Sequence, residues 1–319
     1  MINKYFPEGT LIKTESNKRY IESEQGIRQA IADGAIVEAI AVRCDQDNNI
    51  HVDLNGIHGI IDARDSIFLR PTDVFKPIAL LKRVGKPVAF RILSLDTNNG
   101  KMIAKLSRRA AQEDCYYEYL SRLKAGDIIE AKATHLDRNG AFVDVGCGFS
   151  ALAPLYRLSV SRIQSAKDRL NKDADIRVVV LGIDYETMRI VVSLKELLGT
   201  WEENVSEFQV GQTVIGIIRS VEDYGVFIEL APNLCGLSDV TDDLIPELKQ
   251  HIGESIAVYI KSVVPEQMKV RLNIIDNEYL QSNVAPLKYY IDESVTHIDA
   301  WDFSPDVCSK KVSERFDQV

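Results

Sequence analysis

The chain has 319 residues, 38 Lys+Arg against 47 Asp+Glu, and a formal net charge of −9. An apolar share of 45% is enough to build a core, and the acidic balance excludes a protein that holds nucleic acid by bulk charge alone. The apolar run around Val178 to Ile183 is far short of the roughly 20 residues of a membrane span, and MINKYFPEGT lacks the basic-then-apolar order of a secretory signal. The Cys residues (Cys44, Cys115, Cys147, Cys235, Cys308) are odd in number, widely spaced and without CxxC. They predict reduced thiols in a soluble, cytoplasmic protein rather than a disulfide framework or a zinc ribbon.

In chain order, an arm of about 14 residues leads into a helical pattern over 15–34 that Gly34 is placed to stop. Three segments then open alike, ADGAIVEAIAV at 32, KAGDIIEAKAT at 124 and QVGQTVIGIIRSV at 209, and close alike, IAKLSRR at 103, IVVSLKE at 190 and VRLNII at 270. The chain therefore carries three repeated units. Within a unit the period is that of strands: Ile129, Ala131 and Ala133 alternate with Glu130, Lys132 and Thr134. AFVDVG (141–146) and VFIELA (226–231) follow the turn pairs Asn139-Gly140 and Tyr224-Gly225. IRVVVLGI (176–183) and IAVYIKSVV (256–264) read as fourth strands, RIVVSL and KVRLNI as fifth. Five short strands with no long helix among them predict a small closed barrel. Between units the period turns helical, with Gln112, Tyr116, Tyr119, Leu120 and Leu123 on one stripe and Leu197, Trp201, Val205 and Phe208 on another.

The fold class is thus mainly β: three tandem five-stranded barrels joined by short helices. The boundaries read 1–33 (arm and helix), 34–109 (a degenerate repeat), 110–125 (linker helix), 126–195 (repeat), 196–210 (linker helix), 211–275 (repeat) and 276–319 (extension). The extension carries Tyr289, Tyr290, Ile291, Ile298, Trp301 and Phe303, too apolar for a loose tail. It is expected to pack on the last repeat; a partner-binding peptide displaying Trp301 is the alternative.

The stretches NGAFVDVGCGFSALAP (139–154) and YGVFIELAPNLCGL (224–237), with the leading Gly and the closing basic strand, resemble the S-one RNA-binding domain. This is the OB-fold repeat of the small ribosomal subunit's mRNA-binding protein. The resemblance covers 34–275, is weakest in the first unit, and with SRRAAQEDCY and LLGTWEENV extends to the three-repeat S-one proteins of clostridia-like bacteria. Such barrels bind single strands by stacking bases on exposed aromatics ringed by cations. The family's face has an aromatic before the turn Gly, another three residues on, a His, an Asp after strand four and an Arg opening strand five. On the third unit these positions fall at Tyr224, Phe227, Asp239 (for His), Glu266 or Pro265 (for Asp) and Lys269. On the second they fall at Asn139, Phe142, Pro154, Asp184 and Arg189. The first offers Asn48, His51, Asp62 and Asp96, with Lys101 near the Arg position. Alternation supports the outward placing of the rings, because Val143, Val145, Ile228 and Leu230 form the better core set. Against it stands the ordinary reading of strand aromatics as core.

Charge divides unevenly: +4 over 34–109, +1 over 126–195, −4 over 211–275 and −5 over 276–319. In the second unit the insertion SVSRIQSAKDRLNK (159–172), at helical spacing, predicts a phosphate-contacting patch of Arg162, Lys167 and Arg169. The basic first unit, without aromatics at the family's two stacking positions, suggests docking on the small ribosomal subunit. No P-loop, GxSxG or metal-ligand spacing appears, so neither enzyme activity, cofactor nor metal is expected. The reading is a monomeric, non-enzymatic protein that binds single-stranded RNA or mRNA in translation, without membrane contact. Its competitor is a protein–protein adaptor on the ribosome or RNA-decay machinery with weak RNA binding.

Overall fold

A computed structural model describes residues 4–98, 100–275 and 278–316. The first five strands are β1 (Ile36–Cys44), β2 (Ile50–Leu54), β3 (Ile57–Ile61), β4 (Pro87–Asn98) and β5 (Lys101–Ser107). The next five are β6 (Ile128–Leu136), β7 (Gly140–Asp144), β8 (Ser150–Pro154), β9 (Asp175–Asp184) and β10 (Arg189–Ser193). A third set comprises β11 (Thr213–Glu222), β12 (Gly225–Ala231), β13 (Leu234–Ser238), β14 (Ser255–Val264) and β15 (Lys269–Ile274). Each set closes into a barrel in the same cyclic order, first-second-third-fifth-fourth, with the third and fifth strands parallel. Closure pairs every edge and leaves one face of each strand for the core. Val143 and Ile228 are fully buried, as are Ile50 and Val52 in the first barrel.

Gly140 and Gly225 open the second strands of their barrels at φ of 149° and 148°. A Cβ there would lie 2.2 Å from the Ala153 carbonyl oxygen and 2.7 Å from that of Ser238. Glycine is therefore required where the hairpin crosses close to the third strand.

The connectors are helical but shorter than the periodicity suggests. Residues 15–34 form two helices, Glu15–Ile21 and Glu24–Asp33, with Gly34 closing the second. Ser107 caps Arg108–Glu118 by accepting from the Ala110 N–H. Only Trp201–Val205 is α-helical in the next connector, behind a Thr200/Glu203 capping box. The insertion 159–172 has no helix beyond a 3-10 turn at Ala166–Asp168, which corrects the helical spacing expected there.

Both termini pack. The amino-terminal arm is wedged between the first two barrels, with Tyr5 in the second barrel's core cluster and the Cys147 N–H donating to the Phe6 carbonyl. The carboxy-terminal segment touches the third barrel where Ser255 bridges Leu280, but much of it lies along the second barrel. Ile128 N–H donates to Thr296, and Arg177 donates to the carbonyls of Ile291, Asp292 and Val295. Its hairpin, β16 (Ala300–Asp302) with β17 (Ser313–Arg315), buries Trp301 against Phe303, so Trp301 is core rather than a displayed ligand. The segment thus covers more than the last repeat, because the outward Ile128 and Val179 of the second barrel need a cover.

Candidate nucleic-acid interface

The core-facing residues of β12 are Val226 and Ile228, so Phe227 points outward. Its cross-strand partners are Ser220 on β11 and Leu237 on β13; Leu237 in turn sits beside Arg271 on β15. One row of the third barrel's outer surface therefore reads Ser220, Phe227, Leu237, Arg271. Tyr224, in the turn before β12 and 66% exposed, stands edge-on to Phe227 with ring centroids 6.1 Å apart. Lys269 is exposed two residues before Arg271 on the same side of β15. Arg271 Nη1 lies 3.2 Å from an Asp239 carboxylate oxygen in an exposed pair. Such a pair is weak in water, leaving the guanidinium available to an incoming anion.

The second barrel has the same row in another composition: His135, Phe142, Leu152, Val191. Phe142 is 38% exposed and 6.0 Å from the tilted His135 ring. Val191 occupies the position of Arg271, so the cation here is Arg189, exposed at the start of β10 opposite Asp184. Asp184 is committed locally. It accepts from the Thr187 hydroxyl at 2.6 Å and from the N–H groups of Glu186 and Thr187, which hold its carboxyl below the usual range. It shapes the turn that presents Arg189.

Of the insertion patch, Arg162 and Lys167 are exposed and Arg169 is not. The Arg169 guanidinium is buried against Glu229, with contacts of 2.8 and 2.9 Å, and donates to Ser159 at 3.1 Å. Arg219 donates to the same carboxylate at 2.8 Å. Arg169 therefore joins barrels two and three and is removed from the phosphate-contact set. The reason is tertiary: Glu229 lies outward on β12, and the insertion folds over it. Sequence reading passed over Leu237, Arg271, His135 and Leu152. The alternation Lys269, Arg271, Asn273 against buried Val270 and Leu272 was the signal for Arg271.

Comparison with known proteins bears on this geometry. Residues 122–195 match the family model described as "S1 RNA binding domain". The second barrel lies within that match. Over most of its length the chain is homologous to small ribosomal subunit protein bS1. It is 26% identical to that of Leuconostoc lactis over 81% of this chain and 60% of the relative. It is 26% identical to that of Staphylococcus aureus (strain COL) over 86% and 72%, and 27% identical to the bS1 homolog of Bacillus cereus over 83% and 71%. The chain thus spans about six-tenths to seven-tenths of these relatives' length. A solved multidomain protein with nucleic acid binding domains from Streptococcus pneumoniae aligns over 77% of this chain and 74% of its own, at 12% identity and a TM-score of 0.25. The S1 match ends at Lys195, yet the first and third barrels repeat its strand order. No helix among the described residues is long and apolar enough to cross a membrane.

Proposed function

We propose that this is a non-enzymatic, monomeric protein that binds single-stranded mRNA in translation, in the cytoplasm, by stacking bases on Phe227, Tyr224 and Phe142. Arg271, Lys269, Arg189, Arg162 and Lys167 meet the phosphates. The observation that carries this is the Tyr224–Phe227 pair, two rings held outward on a closed barrel beside Leu237 and Arg271. An exposed aromatic pair flanked by a guanidinium accepts bases of any sequence while phosphates pair with the cation. RNA-binding units at 126–195 and 211–275, separated by a connector, add their weak sites by tethering. The unit 34–109 is assigned to contact with the small ribosomal subunit. In support, its β3–β4 connection exposes Val74, Phe75, Ile78 and Leu81 among Lys76 and Lys82. No cofactor is required by this chemistry.

Fluorescence anisotropy of the full chain with a single-stranded RNA of about 20 nucleotides, beside the matching duplex, tests the reading. Single strands should bind more tightly, and Phe227→Ala should weaken binding by roughly five-fold to a hundred-fold. Wild-type affinity in Phe227→Ala would remove this face from the RNA site. Asp239→Asn, which frees Arg271, should tighten binding. Neutralising Arg162 and Lys167 together should reduce the salt slope by no more than about 2.

A further inference from the structure

The row that holds Phe142 and Phe227 in the later barrels reads Arg43, His51, Ile60, Lys105 in the first. Ile50, Val52 and Leu54 fill the core side of β2, and Ile57 and Ile61 that of β3, so His51 and His58 both lie on the outer side. His51 Nε2 is 2.9 Å from Asp45 Oδ2, and His51 Nδ1 is 3.1 Å from His58 Nε2. The two ring centroids are 5.1 Å apart with planes 23° from parallel. Together these values set the imidazoles edge to edge rather than face to face.

Hydrogen-bond chemistry orients this chain. An ionised Asp45 accepts only, and the bond from His51 holds its carboxyl down to about 2. With His51 neutral, its proton sits on Nε2, its Nδ1 accepts from His58 Nε2–H, and His58 Nδ1 is left with a lone pair. Among the described residues nothing bonds to that Nδ1, and it is not one of the buried polar atoms lacking a partner, so it faces solvent. The groups around it are His51 and Asp53 on β2, Arg43 on β1, Asp45 after β1, and Ile103 directly opposite on β5. Lys105 lies beyond Ile103, and Asp96 pairs with Ile103 from β4. Partial burial, and then the Arg43 charge, lower the affinity of His58 for a proton, against Asp53. Arg43 and Lys105 are both exposed.

We infer that the first barrel carries a proton-gated phosphate subsite for RNA, formed by His58 at the end of the Asp45–His51–His58 chain, beside the row that carries Arg43 and Lys105. His58 takes a proton from solvent at Nδ1 and, as imidazolium, donates it in a hydrogen bond to a backbone phosphate oxygen. The hydrogen-bond chain to Asp45 supports the positive ring from behind. This rests on the RNA-binding reading and adds a third contact to it. Because His58 is neutral in the free protein at neutral pH, affinity should rise as pH falls through its midpoint, below the ordinary 6.5.

The test is anisotropy of the full chain with a 20-nucleotide single-stranded RNA at pH 7.5 and pH 5.5, at fixed ionic strength. Wild type should tighten by about ten-fold on acidification, the yield of one charge-assisted hydrogen bond. His58→Gln should lose most of the gain, while His135→Gln, on the second barrel, should keep the gain. A gain unchanged in His58→Gln, or one that follows His135, overturns the subsite and leaves RNA binding standing. No binding at either pH overturns the RNA reading and the subsite with it. A second readout is the imidazole NMR titration of His58, whose midpoint should move to higher pH with RNA bound; an unmoved midpoint also overturns the subsite.

Discussion

The two junctions between barrels solve one problem with opposite charge balances. At the first, three carboxylates meet two guanidinium groups. Glu8 of the arm accepts from Arg108 at 2.7 Å and Arg83 at 2.6 Å, while its own N–H donates to Asp144. Glu38 accepts from the N–H groups of Gly9 and Ile12. At the second, one carboxylate, Glu229, meets Arg169 and Arg219. Burial pushes Glu38 up to about 7 and Asp144 up to about 6, the latter helped by Glu8. Burial acts the same way on Glu8 and Glu229, but their arginines override it and hold both below the usual carboxylate range. Surplus acid therefore makes the first junction responsive to pH near neutrality, and surplus arginine makes the second indifferent to it.

Breaking the second junction should have the largest effect. Glu229→Leu leaves two buried guanidinium groups without a counter-charge and should cost about 3–5 kcal/mol in urea unfolding at pH 7. A loss near zero would mean that water already screens the triad. Glu38→Gln sharpens the contrast through pH. A carboxyl raised from 4.5 to about 7 keeps its proton in the folded state while the unfolded chain loses it, so stability falls as pH rises from about 4.5 to 7. The Gln variant should show a shallower fall over that window in a pH series of urea midpoints, and an unaltered slope would assign the dependence elsewhere. Glu229 has the reverse sign: its contribution is present above 4.5 and is lost only as pH drops further. The smallest effect belongs to Arg91→Ala. Its 2.9 Å pair with Asp114 ties β4 to the linker helix but is about one-third exposed at each end, so its loss should cost less than about 1 kcal/mol.

Much of this was legible in the chain. The threefold recurrence of the opening and closing strands carried the barrel count, and period-2 alternation at Val143 and Ile228 placed Phe142 and Phe227 outside. The same alternation pairs Arg271 with Lys269 on the outer side of the closing strand. Helix lengths were overestimated after Leu197 because the stripe Trp201, Val205, Phe208 continues where the helix does not; Trp201 is held by the Phe303 carbonyl of the distant carboxy-terminal hairpin.

Sequence by itself determined the repeated barrels, the outward rings of the second and third, and the falling charge along the chain. All are local, since strand periodicity and turn chemistry act within a few residues. Tertiary structure alone decided which cations are free. Arg83, Arg108 and Arg169 look like surface charge in the sequence, yet Glu8 and Glu229, 60 to 100 residues away, draw them inside. It alone also joined His51 to Asp45 and His58, since a hydrogen bond between neighbouring strands depends on register, which is set only when the barrel closes.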